Sequence, residues 1–126
     1  MKNKGISVLI VDDNGYYVNR MVTMLDNLGH IENINTAGNC REAYSSLTAQ
    51  KHDFILLDIN LPDGSGIDLL QEIKGKNQNQ DCEVIMISNQ IDSYYETKCK
   101  KLGAKYFLDK TNDFDKVPEL LVALNN

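Results

Sequence analysis

The sequence offers little from which to build a membrane span, a disulfide scaffold or a nucleic-acid surface. Apolar runs such as Val8 to Val11 and Phe54 to Leu57 stop at four residues, where a bilayer-spanning helix needs roughly 20. The apolar stretch behind Lys2 and Lys4 meets Asp12 and Asp13 too soon to be the core of a secretory leader. A cytoplasmic location, with no membrane insertion, is therefore expected. Cysteine is limited to Cys40, Cys82 and Cys99, an odd number without a CxxC spacing. Neither a disulfide framework nor a zinc site follows, and all three are expected as small, buried side chains. Positive charge is in deficit: 13 Lys+Arg against 18 Asp+Glu give a net charge of -5, which argues against direct nucleic-acid binding.

No internal repeat, low-complexity tract or linker interrupts the chain, and its 126 residues fit one domain spanning 1–126. Hydrophobic residues at 42% and charged residues at 25% are globular proportions that disfavour disorder. Short runs rich in β-branched residues recur at Ile6 to Val11, Ile31 to Thr36, Phe54 to Leu57, Val84 to Ile87 and Tyr106 to Leu108, and predict five strands. Between them apolar residues fall at helical spacing: Tyr17, Met21, Met24 or Leu25, and Leu28; Ala43 and Leu47; Ile67, Leu70 and Ile73; Tyr95 and Leu102; Val117, Leu121 and Leu124. A helix over Ile91 to Lys101 is expected fourth, and Pro118 is acceptable in a fifth that starts near Lys116. Gly29 and Gly103 are placed to end the first and fourth helices.

Strict alternation of strand and helix predicts a parallel sheet with helices on both faces. Continuously apolar first, third and fourth strands suit burial on both sides, whereas Glu32, Asn33 and Asn35 suit the second to an edge. In such a sheet ligands bind beyond the carboxyl ends of the strands. Asp12 and Asp13 follow the first strand, Asp58 ends the third, Ser88 ends the fourth, and Lys110 follows the fifth. Singly, each has an ordinary reading as a helix cap, a turn residue or a solvated charge. Together they place three carboxylates at one edge, and two unit charges about 4 Å apart repel by about 4 kcal/mol at an effective dielectric near 20.

One lysine cannot balance three carboxylates, so a cation belongs there. Hard oxygen donors select magnesium before manganese or calcium. The Asn60 carbonyl can add an oxygen, while His30 and His52 are expected at the opposite ends of the strands. Asp58 is the best nucleophile: it ends the central strand, and the turn Leu61-Pro62-Asp63-Gly64-Ser65-Gly66 is expected to leave its carboxylate exposed. Attack on phosphorus would give an acyl phosphate.

These residues resemble the receiver domain of bacterial two-component response regulators, in the stand-alone, chemotaxis-regulator-like form, from Ile6 to Leu124. The resemblance implies a flavodoxin-like (βα)5 fold, with a five-stranded parallel sheet of order 2-1-3-4-5. It implies that Asp58 accepts a phosphoryl group from a sensor histidine kinase, a phosphotransfer protein or a small phosphodonor. Asp13, Asp58 and the Asn60 backbone carbonyl would bind Mg2+ directly, and Asp12 mainly through water. Ser88 and Lys110 would contact the phosphoryl group, and Phe107 would be the switch aromatic. The first helix, with Tyr16, Tyr17 and Met21, is the implied docking side for the phosphodonor protein. The fourth helix, fifth strand and fifth helix would present the change to a downstream protein. The chain would catalyse only its own phosphorylation and dephosphorylation.

The pattern departs from the family at four places. Ser88 replaces the commoner Thr, Asn89 and Tyr106 stand where small residues are frequent, and Thr111 stands where a cis proline is common. A trans bond is expected between Lys110 and Thr111. Two competing readings are a phosphorylation-independent interaction receiver and a phosphatase of the haloacid-dehalogenase type. The first would be signalled by loss of Asp58 or Lys110, and both are present. The second needs a second aspartate two residues after the first, where Asn14 and Gly15 follow Asp13. A dinucleotide site fails because Leu69 occupies the third glycine position after Gly64 and Gly66.

Overall fold

The computed structural model describes residues 5–75, 77–89 and 92–125. Lys2, Lys4, Ile91 and the side chain of Leu124 lie outside that description. Strand β1 (Ile6–Val11) leads to helix α1 (Gly15–Asp26), β2 (Ile31–Ala37) to α2 (Cys40–Ala49), and β3 (Phe54–Asp58) to α3 (Gly66–Ile73). Strand β4 (Glu83–Ser88) then leads to α4 (Ser93–Lys101), and β5 (Tyr106–Asp109) to α5 (Lys116–Asn125). All neighbouring strands pair in parallel, in the order β2-β1-β3-β4-β5, as expected from the flavodoxin-like pattern. The half-exposed β2 sits at an edge, bonded to β1 alone.

Successive residues along a strand point to opposite faces, and here both faces are covered. Leu9, Val11, Ile55, Leu57, Met86 and Phe107 pack with Ala43 and Leu47 of α2, Leu69, Leu70 and Ile73 of α3, and Cys99 of α4. Val8, Ile10, Leu56, Ile87 and Leu108 pack on the other side with Tyr17, Met21 and Leu25 of α1 and Val117 and Leu121 of α5. Each fully buried aliphatic side chain contributes about 1.5–3 kcal/mol, so the two apolar layers, and not helix propensity, hold the helices in place. Tyr106 packs on the α1/α5 side, opposite Phe107, as strand alternation requires.

Polar side chains set the helix boundaries. Asn14 accepts from the Tyr17 N–H, Asn39 from Glu42, Ser65 from Ile67 and Asp92 from Tyr94, satisfying donors that a helix start leaves free. Asn14, not Asp12 or Asp13, therefore caps α1. That helix stops at Asp26, and Gly29 makes the turn beyond it with φ +79. Gly103 directly follows the C-cap of α4 with φ +113. Of Tyr95 and Leu102, which fall at helical spacing, only Leu102 packs against the core. Tyr95 is 41% exposed, and Cys99 is the buried residue of the helix. Positions 95, 99 and 102 share one side of the helix, and burial deepens toward its C-terminal end, where Cys99 is buried and Leu102 packs against the core. All three cysteines are buried and free.

Candidate phosphoacceptor site

The carboxyl ends of β1, β3, β4 and β5 meet at one rim. Asp12 follows β1 directly, and its backbone N–H still donates to the Ala37 carbonyl of β2 at 2.9 Å, which prolongs the sheet by one residue and fixes the side chain. Asp12 is buried and its Oδ1 accepts from the Asn14 N–H at 2.8 Å. Asp13, next in line, faces solvent. Asp58 ends β3. One carboxylate oxygen of each of Asp12, Asp13 and Asp58 lies within 4.8 Å of the other two.

Asp58 corrects one expectation: its carboxylate is not exposed, for the residue keeps only 6% of its surface. The turn behind it folds back as a two-residue antiparallel hairpin, Asn60–Leu61 against Gly64–Ser65. Gly66 then brings the start of α3 onto the end of β3, its N–H donating to the Ile59 carbonyl at 2.6 Å. A Cβ on Gly66 would overlap the Asp58 carbonyl oxygen, so only glycine permits this approach. Asp63 closes the hairpin over α2 by accepting from the Cys40 and Arg41 N–H groups at 2.7 and 3.1 Å. Those donors hold the Asp63 carboxyl below the usual carboxylate range. Asn60, exposed, donates its N–H to Asp58 Oδ1 over a long 3.4 Å.

Lys110 reaches in from the end of β5. Its Nζ lies 2.7 Å from Asp12 Oδ2 and 3.4 Å from Asp58 Oδ2, with all three side chains almost wholly buried. The Lys110 N–H donates to the Ser88 carbonyl at 2.8 Å, which locks the end of β5 to the end of β4. Beyond it, Asp109 Oδ1 accepts from the Thr111 and Asn112 N–H groups while Asp113 Oδ2 accepts from the Asp109 N–H. This reciprocal clasp turns the chain without a cis peptide, and the described residues contain none. Ser88 is buried at the same rim, whereas Asn89 and Thr111 are exposed beside it. Phe107 is buried three residues before Lys110, on the α2/α3/α4 side of the sheet.

Burial and the neighbouring Asp12 charge raise the Asp58 carboxyl above its ordinary value, and Lys110 offsets only part of this. Burial alone would depress the Lys110 ammonium, but Asp12 and Asp58 together outweigh it and hold it above the ordinary lysine value. A rim with two buried carboxylates, a third beside them and one ammonium carries an excess of negative charge. Its donors are all hard oxygens, which fits a magnesium-like cation.

Three participants were not visible in the sequence reading. The Asp109–Asp113 clasp and the Asp63 contact depend on loop geometry. Tyr17, one turn into α1, places its ring under the Lys110 ammonium, 4.9 Å from Nζ to the ring centroid. Nothing in the linear order hints at this contact, since it joins the first and fifth βα units. His30 and His52 lie just before β2 and β3, at the opposite ends of the strands.

A model of the response regulator receiver domain matches residues 8–122. The chain belongs to the response regulator receiver family. The receiver is 33% identical over 124 residues to a Bacillus subtilis protein-glutamate methylesterase/protein-glutamine glutaminase, covering 93% of this chain and 34% of that protein. It thus spans about a third of the length of that curated relative. Among solved structures, a CheY-like response regulator receiver domain protein from Methanospirillum hungatei superposes with a TM-score of 0.86 at 20% identity, over 96% of this chain and 94% of that one. A response regulator from Burkholderia pseudomallei, solved with a phosphorylated aspartic acid, a calcium ion and citrate, gives 0.76 at 22% identity over 96% and 75%. At such identities the two likenesses establish the receiver's fold. Among the described residues, no helix is long and apolar enough to cross a membrane.

Proposed function

We propose that this receiver is a single phosphorylation-switched signalling unit in which Asp58 accepts a phosphoryl group from the phosphohistidine of a sensor histidine kinase or phosphotransfer protein, or from a small acyl phosphate. The observation that carries the reading is the junction of three carboxylates with a buried ammonium bridging two of them. An Asp58 oxygen forms the new P–O bond as the P–N bond to the donor imidazole, or the P–O bond to a donor carboxylate, breaks and its electron pair leaves with the donor. Lys110 neutralises charge on a phosphoryl oxygen, and the Ser88 hydroxyl donates to another. Magnesium would be held by Asp13, Asp58 and the Asn60 backbone carbonyl, with Asp12 acting mainly through water, and would supply charge neutralisation to the phosphoryl oxygens. The phosphorylated Burkholderia relative with its calcium ion is in keeping with this chemistry.

Hydrolysis of the acyl phosphate resets the site, so the chain catalyses only its own phosphorylation and dephosphorylation. The signal is a shift between two packings, and moving a population from 1:99 to 99:1 takes about 5.5 kcal/mol of differential interaction. Ser88 and Phe107 carry that shift to the α4, β5 and α5 face, where exposed Tyr94, Tyr95 and Lys98 offer a surface to a downstream protein. The reading calls for a cytoplasmic chain that meets no nucleic acid directly. Mass spectrometry of the chain treated with acetyl phosphate and magnesium is expected to show a single acid-labile, hydroxylamine-sensitive phosphoryl group, absent from Asp58→Asn. Retained labelling in Asp58→Asn would move the site elsewhere. No labelling of the unaltered chain by any donor would make it a phosphorylation-independent interaction module.

A further inference from the structure

Lys110 is held on three sides, and only two of them are acidic. The third is the face of Tyr17, whose ring centroid lies 4.9 Å from Nζ. Tyr17 is 7% exposed, so this contact is shielded from water, the condition under which cation–π attraction is strongest. The ring is itself held: its edge meets Phe114 at 5.5 Å between centroids and 84° between planes. Phe114 carries the Arg20 guanidinium 4.4 Å from its own centroid. The Tyr17 hydroxyl is buried and has no hydrogen-bond partner among the described residues. Tyr17, Lys110, Asn89 and Phe114 line a common cleft of about 200 Å³ beside the acidic rim.

A buried hydroxyl without a partner adds nothing to the stability of the resting chain, and phenylalanine would fill the same space without it. Packing therefore accounts for an aromatic ring here, and so does the ammonium lying over its face. An aliphatic side chain of similar size would satisfy the packing but would give the ammonium no π face. Asp12 and Asp58 pull Lys110 toward the acidic rim, while the ring attracts it from the α1 side, so the position of Nζ is set by the balance between them.

We infer that Tyr17 is a positioning residue for phosphoryl transfer: its aromatic face fixes where the Lys110 ammonium stands relative to Asp12 and Asp58. The inference rests on the reading of Asp58 as phosphoacceptor. It requires the ring and not the hydroxyl, which separates it from a role in packing or in hydrogen bonding.

The test compares the unaltered chain with Tyr17→Phe and Tyr17→Met. In the metal-free protein, NMR should place the Lys110 ε-methylene protons upfield of the ordinary lysine position in the unaltered chain and in Tyr17→Phe, and at the ordinary position in Tyr17→Met. With acetyl phosphate and magnesium, Tyr17→Phe should phosphorylate within about twofold of the unaltered chain and Tyr17→Met about tenfold more slowly, the scale of one desolvated cation–π contact. Should Tyr17→Met lose its fold, Tyr17→Leu takes its place with the same expectations. Ordinary Lys110 shifts in the unaltered chain, an unmoved Lys110 signal in Tyr17→Met, or equal rates in Tyr17→Phe and Tyr17→Met would each overturn the inference. No phosphorylation of the unaltered chain would count against the phosphoacceptor reading instead, and rapid labelling of both the unaltered chain and Tyr17→Met against this inference alone.

Discussion

The two rims of the sheet bury polar groups in opposite ways. At the amino ends of the strands, Asn79 is 0% exposed and its side chain is saturated: Oδ1 accepts from the His52 N–H at 2.7 Å, and Nδ2 donates to the Leu47 and Gln50 carbonyls at 3.0 and 3.2 Å. Nearby, Asp53 accepts from the Ser7 N–H at 2.8 Å and donates its own N–H to the Ser7 carbonyl at 2.8 Å. At the carboxyl ends, Asp12 and Asp58 are buried with a single ammonium between them and Asp13 beside them. The paired Asn79 amide rigidifies its surroundings, although the buried His52 Nδ1 beside it has no hydrogen-bond partner among the described residues, whereas incompletely neutralised carboxylates leave free energy for a ligand to release. The difference teaches which rim is scaffold and which is device.

The comparison breaks most sharply at Lys110. Lys110→Met leaves two buried carboxylates facing each other, and in metal-free buffer near neutral pH it is expected to lose about 3 kcal/mol of unfolding free energy in urea. Magnesium should restore much of that loss, because the cation takes over the neutralising role. At the other rim, Asn79→Ala strands the buried His52 N–H and the carbonyls it had served. A loss of about 2 kcal/mol is expected, insensitive to magnesium. Equal magnesium responses in the two variants would erase the distinction between the rims.

The smallest effect has the opposite sign. Asp58→Asn removes one member of a like-charge pair and should stabilise the metal-free chain by about 1 kcal/mol near neutral pH. The raised Asp58 carboxyl fixes the pH window. A carboxyl whose folded value lies above its unfolded one favours folding at low pH, and that benefit is lost as pH rises through the folded value. The advantage of Asp58→Asn should therefore shrink as pH falls through the raised value, where the native carboxyl also becomes neutral. A constant advantage across pH, followed by thermal unfolding, would show that charge is not its origin.

Much of this was legible in the chain. The runs Val8 to Val11, Phe54 to Leu57 and Val84 to Ile87 are apolar at every position, so their burial under helical layers on both faces follows from the pattern alone. The polar residues that end those runs, Asp12, Asp58 and Ser88, could be placed at one rim because a parallel sheet aligns all its carboxyl ends. Less visible was depth. Asp58 was expected to be exposed, yet the hairpin from Asn60 and the close approach at Gly66 enclose it. That depth depends on where separate elements stop in space, and no local pattern records it.

The amino-acid order by itself determined the alternation of elements and the identity of the charged groups at the strand ends, because hydrophobic period and turn chemistry act over a few residues, whereas the order of the strands followed only from the family resemblance. Tertiary structure alone decided that Lys110 stands closer to Asp12 than to Asp58, and that Tyr17 lies beneath it. Those contacts join residues from the first, third and fifth βα units, and their distances are set by how the packed layers bring the units together.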